Sequence, residues 1–139
     1  MSKLSIDFKK PQYMLALAVI LCVAASFFAG MFNTSFYSVK PEKISFEADH
    51  GTLTGWLYMP KGAGADDPRP LIITTHGYLN TKEMQDAPAV EMSRRGYVVL
   101  ALDMYDHGDA RWAEPIKVGD QFGTFWIHAL FDAVKYMYP

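Results

Sequence analysis

The chain has 139 residues, half of them hydrophobic and 14% aromatic, with 13 basic against 15 acidic side chains. That length allows one modest domain, and a net charge of −2 gives no basis for nucleic acid as a partner. A single cysteine excludes an internal disulfide framework and a cysteine-based zinc site.

Lys3, Lys9 and Lys10 precede a stretch, Tyr13 to Phe32, that carries no charge. A helix of that length, at about 1.5 Å per residue, spans roughly 30 Å, the hydrocarbon thickness of a bilayer. Tyr13 at one end, and Phe32, Phe36 and Tyr37 near the other, fall where interfacial aromatics are favoured. The positive-inside bias then places residues 1–12 in the cytoplasm, makes 13–32 a signal-anchor helix in the lipid bilayer, and puts the rest outside. The alternative is a cleavable signal with Ala24, Ala25 and Ser26 at its processing site and a secreted product. Signal cores are shorter, ~7–15 residues, and here the apolar run continues through Phe27 and Phe28, so the anchor is preferred. Cys22 lies mid-span and reads as a packing residue.

Residues 33–42 form a connector. Ile44 to Ala48 and Leu53 to Met59 alternate apolar and polar around Asp49-His50-Gly51, which predicts an antiparallel hairpin. Lys61 to Pro70 is a loop by its glycines and prolines. Leu71 to Thr75 is a short apolar run suited to a strand buried on both faces. The next stretch predicts a helix ending at Arg94-Arg95-Gly96, where basic side chains meet the negative end of the dipole and glycine relieves the left-handed cap. Asp86 is its expected N-cap, with Pro88 in the first turn where no amide donor is needed. Tyr97 to Asp103 is a second buried strand, and Met104 to Ala110 a polar turn. Gln121 to Met137 predicts a final helix with Phe122, Trp126, Ala129, Ala133 and Met137 on its apolar stripe. The fold class is α/β: a hairpin and then β-α-β-α, implying a mostly parallel sheet covered on both faces.

Chemistry in such sheets sits at the carboxyl ends of the strands. Those turns read Thr75-His76-Gly77-Tyr78-Leu79-Asn80 and Asp103-Met104-Tyr105-Asp106-His107-Gly108-Asp109-Ala110. In these motifs residues 43–139 resemble the α/β-hydrolase superfamily, particularly its dienelactone-hydrolase-like and prolyl-oligopeptidase-like serine hydrolases. The resemblance implies that the backbone N–H of Tyr78 is an oxyanion-hole donor. It implies that Gly77 permits a tight turn and close approach of substrate, and that His76 is structural. The second turn departs from the family pattern D-x-x-G-x-G-x-S, with His107 in place of the first glycine and Ala110 in place of the serine.

The nucleophile of this family sits on a G-x-S-x-G elbow, and no such motif occurs here. Ser2, Ser5, Ser26, Ser35 and Ser38 lie before or beside the apolar segment, Ser45 is in an outer strand, and Ser93 lacks flanking glycines. Nucleophile, acid and catalytic histidine are all expected downstream. The chain therefore reads as the N-terminal part of an enzyme hydrolysing small-molecule or peptide esters, thioesters or amides, inactive alone. The rival is a membrane-anchored interaction protein that keeps part of a hydrolase fold without catalysis. Without the next strand, residues 71–75 become an exposed edge prone to self-association. No cofactor is implied. Asp103, Asp106 and Asp109 do not follow a calcium-loop spacing, and His50, His76, His107 and His128 follow no zinc spacing. His128 and Asp132 read as a solvated surface pair, and Tyr136, Met137 and Tyr138 as residues packing against structure still to come.

Overall fold

A computed structural model describes residues 10–115, 117 and 119–138. Lys3, Lys9, Ser2, Ser5 and Pro139 lie outside the described residues. The chain divides into two units, Met1–Asn33 and Thr34–Pro139.

The first unit is the helix α1, Pro11–Asn33, with 23 residues and no buried side chain. Pro11 opens it, a position where the missing amide proton costs nothing. Among the described residues it is the one helix long and apolar enough to cross a membrane. Ser26 turns its hydroxyl back to the Cys22 carbonyl at 2.9 Å, which satisfies that polar group inside the helix as an apolar solvent would require.

The second unit is a twofold-covered sheet. Its strands are β1 (Val39–Ala48), β2 (Gly51–Pro60), β3 (Leu71–Thr75), β4 (Val98–Leu102) and β5 (Arg111–Trp112). Its order is β1-β2-β4-β3, with β5 beside β2. β1 and β2 form the hairpin around Asp49 and His50, in register from Val39 opposite Pro60 to Ala48 opposite Gly51. β1 thus begins inside the stretch read as connector. β2 pairs antiparallel with β4, and β4 pairs parallel with β3, Leu71 opposite Val98 through Thr75 opposite Leu102. β3 was expected to be buried on both faces. Every residue in it is only half-buried, because as the terminal strand it has β4 on one side and no strand on the other among the described residues.

Alternation along the strands divides the core in two. Phe46, Leu53, Leu100 and Leu102 pack with Phe125, Ala129 and Ala133 of α3 (Gln121–Met137), joined by Leu71 and Ile73. Val99, Ala101, Tyr58 and Ile72 pack with Ala89, Val90 and Met92 of α2 (Asp86–Arg94). Neighbours on one strand therefore serve opposite layers, as a period of two demands. Each fully buried leucine or valine contributes about 1.5–3 kcal/mol.

Three local readings change in the structure. Asp86 does not cap α2; it is the first helical residue, and its carboxylate accepts the Tyr58 hydroxyl at 2.5 Å. Met104 and Tyr105, at the start of the polar turn, are fully buried because β4 carries them directly into the α3-side core. The buried stripe of α3 is Phe125, Ala129, Asp132 and Ala133, while Phe122 is 59% exposed. Ala129 and Ala133 of the expected stripe are buried and Trp126 and Met137 pack against the core, so the difference is that Phe125 faces the sheet in place of Phe122.

Candidate active site

β3 and β4 end side by side, so the turns that follow them share one edge of the sheet. After Thr75 the chain turns through His76 to Asn80, with the Asn80 N–H donating to the Gly77 carbonyl at 3.2 Å. The left-handed residue of this turn is Leu79, at φ 60, and not Gly77. A Cβ built on Gly77 meets nothing closer than the Asn80 Nδ2 at 3.7 Å. Gly77 is therefore not needed for turning, and what it provides is open space at the end of β3. Among the described residues the Tyr78 N–H has no hydrogen-bond acceptor, and the Tyr78 ring is 60% exposed.

His76 is buried and held at both ring nitrogens. Its Nδ1 lies 2.8 Å from the Gly77 carbonyl, and its Nε2 accepts the Met104 N–H at 3.0 Å. This pairing requires a neutral imidazole with its proton on Nδ1, since Nε2 cannot accept while protonated. Burial lowers its pKa from the usual histidine value, and the neighbouring His107 adds to that effect. The imidazole thus ties the β3 turn to the β4 turn. Because the folded pKa is depressed, the unfolded chain binds the proton more readily. The His76 contribution is present above about pH 6.5, the ordinary value, and is lost as pH falls toward the folded one. Urea midpoints measured from pH 8 to 5 should fall on acidification, and the His76→Gln variant should flatten that part of the profile.

Asp103, fully buried, anchors the second turn. It accepts the Thr54 hydroxyl at 2.7 Å, the Lys82 backbone N–H at 2.8 Å, the Lys82 Nζ at 2.6 Å and the Asp109 N–H at 3.2 Å. Lys82 is buried too, and also reaches Asp109 at 3.2 Å. Burial opposes its charge, but the bonds to Asp103 and Asp109 outweigh it and hold its pKa above the ordinary lysine value. Asp109 in turn bonds Lys43 and Lys82, which hold its carboxyl at about 2. Sequence reading missed Lys82, since a lysine in a helical stretch normally points to solvent. The available signal was an aspartate ending the next strand, which must find a cation if buried.

His50, Asp132 and Tyr105 form a second cluster near the same edge. Asp132 is buried and accepts both His50 Nδ1 at 2.8 Å and the Tyr105 hydroxyl at 2.6 Å. Burial, and then this bond, keep the Tyr105 phenol well above its usual pKa, so it stays a donor. The expected surface pairing of Asp132 with His128 is replaced by these bonds, and His128 packs on the His50 ring at 4.1 Å. Among the described residues no group of three histidine, cysteine, aspartate or glutamate side chains is placed to hold a metal ion. Ser93 is fully buried on α2, its hydroxyl without a partner among the described residues, and no base reaches it.

No protein-family model and no curated protein sequence matches the chain. Solved structures do. Epoxide hydrolase A from Mycobacterium thermoresistibile aligns at 18% identity and a TM-score of 0.57, over 70% of this chain and 28% of that one. A membrane phospholipase A, a bacterial virulence factor, aligns at 18% identity and 0.55, over 93% of this chain and 41% of that one. The thioesterase domain from the curacin biosynthetic pathway aligns at 22% identity and 0.51, over 72% and 34%. All have the α/β-hydrolase fold, and the partial sheet of this chain matches theirs. The chain spans 28% of the length of the epoxide hydrolases that it matches.

Proposed function

We propose that this chain is the N-terminal part of a membrane-anchored serine hydrolase that cleaves an ester, thioester or amide outside the cytoplasm. In this reading the chain supplies one wall of the active site, and the nucleophile, acid and catalytic histidine belong to sequence beyond residue 139. The observation that carries it is the His76-Gly77-Tyr78 turn: it follows a parallel strand, has open space at Gly77, and presents an amide with no acceptor among the described residues. Such an amide stabilises the charge that develops on a carbonyl oxygen, and in measured cases one donor is worth about 2.7–4 kcal/mol. His76 keeps that turn fixed by bonding both turns at once. The anchor is supported by the length and apolar character of α1 and by the lysines that precede it.

A fluorophosphonate probe tests the division of labour. The 139-residue chain should remain unlabelled, and the product of the natural reading frame continued past residue 139 should be labelled at one downstream serine. Labelling of a serine within residues 1–139, or none in the longer product, contradicts the proposal.

A second reading, a non-catalytic interaction protein, is favoured by one feature. Among the described residues β3 ends the sheet without a further neighbour, and Ile127, Phe131 and Val134 are exposed on α3. Both readings predict that residues 34–139 in solution self-associate, because an apolar edge recruits further strands. Sedimentation should show assemblies that grow with concentration. A monodisperse monomer would contradict an available edge.

A further inference from the structure

A cleft of about 200 Å3 lies between the turn after β3, the turn after β4 and the start of α3. Its walls are aromatic rings at steep mutual angles. Tyr78 meets His107 at 5.8 Å and 66°, and Phe122 at 6.2 Å and 56°, while His107 meets Trp126 at 5.0 Å and 77°. Phe122 and Trp126 stack at 4.6 Å and form a single wall. These rings give the cleft a largely aromatic lining.

Asp106 is the one acidic side chain of the lining, which contains no lysine or arginine. Its carboxylate accepts the Trp112 N–H at 3.1 Å and makes no ion pair among the described residues. Leu79 at φ 60 and Asp106 at φ 56 are both left-handed, and both line this cleft. Left-handed residues with side chains are costly and concentrate at ligand clamps. An aromatic lining with one carboxylate that makes no ion pair among the described residues attracts a cation that has shed water and disfavours an anion.

We infer that this cleft is a subsite for an alkylated ammonium group of the substrate. Its assignment to the substrate rests on the hydrolase reading above, whereas its preference for a cation belongs to the cleft alone and is tested without turnover. Choline and 3,3-dimethyl-1-butanol share one shape and differ in charge, which makes them the probes.

The full chain in dodecyl maltoside micelles is titrated with each while the indole N–H resonance of Trp126 is followed. That N–H donates to the His76 carbonyl at 3.1 Å, at the inner wall of the cleft. Choline should give a saturable shift with a half-saturation concentration about fivefold lower than the neutral probe. Asp106→Asn removes the charge with a residue that tolerates the left-handed region. Phe122→Leu removes a ring at a position 59% exposed, where folding is not at stake. Asp106→Asn should weaken choline about two- to fivefold and leave the neutral probe unchanged, whereas Phe122→Leu should weaken both probes, choline about two- to fivefold more than the neutral one. Equal half-saturation for the two probes, or no saturable shift with choline, overturns the inference. Fluorophosphonate labelling of the longer product does not depend on that result, so the two proposals fail separately.

Discussion

Replacing Asp103 with alanine should cost about 3–5 kcal/mol, the range for breaking a buried ion pair on one side. The Lys82 ammonium would be left buried with only the exposed Asp109 and Glu83 carboxylates near it, and the Thr54 hydroxyl would lose its acceptor. Domains of this size are stable by only about 5–15 kcal/mol, so the variant should be largely unfolded under mild denaturant. Adding Lys82→Met removes the stranded charge. The double variant should therefore be more stable than Asp103→Ala alone, by more than simple addition allows. Chemical unfolding of the four proteins in detergent micelles gives that coupling directly. A loss below about 1 kcal/mol for Asp103→Ala would show that the pair is solvated, like an ordinary surface salt bridge.

The second large effect is expected at Gly108. Its φ is +54, and an added Cβ would stand 2.4 Å from both carboxylate oxygens of Asp103. Gly108→Ala thus pays the left-handed backbone cost of roughly 1–2 kcal/mol and also displaces the carboxylate that holds Lys82. A total near 3 kcal/mol is expected on that sum of strain and weakened pairing. In an Asp103→Ala background the clash is gone, so the same substitution should cost the backbone strain alone. Equal costs in both backgrounds would mean that Gly108 and Asp103 do not act as a unit.

Much of the fold was legible because it rests on local periodicity. β3 lies at Leu71–Thr75 and α3 at Gln121–Met137, where a β-branched run and an i, i+3, i+4 pattern placed them. Which stripe of α3 is buried was less legible, because Phe122 and Phe125 are equally apolar and only the sheet chooses between them. Asp86 read as a cap by its type, but a tyrosine 28 residues earlier claimed its carboxylate. The turn proposed as an oxyanion site could be named from sequence only because His76-Gly77-Tyr78 is contiguous. Lys82 and Asp103 are 21 residues apart, and His50 and Asp132 are 82 apart, so no local pattern joins them. The departure at His107 and Gly108 also has a physical account. The turn keeps its glycine where the Asp103 carboxylate would strike a side chain, and His107 lines the cleft.

The account turns on a single backbone proton, that of Tyr78. An amide-to-ester exchange at this residue, made in the labelled longer protein, deletes the N–H and keeps every side chain, but it also weakens the Gly77 carbonyl as acceptor for His76 Nδ1 and the Asn80 N–H. The rate of fluorophosphonate labelling should fall by about 10²–10³, as for loss of one oxyanion donor, with the protein still folded and its unfolding midpoint only modestly lowered. An unaltered labelling rate would contradict the assignment of this turn to the reaction.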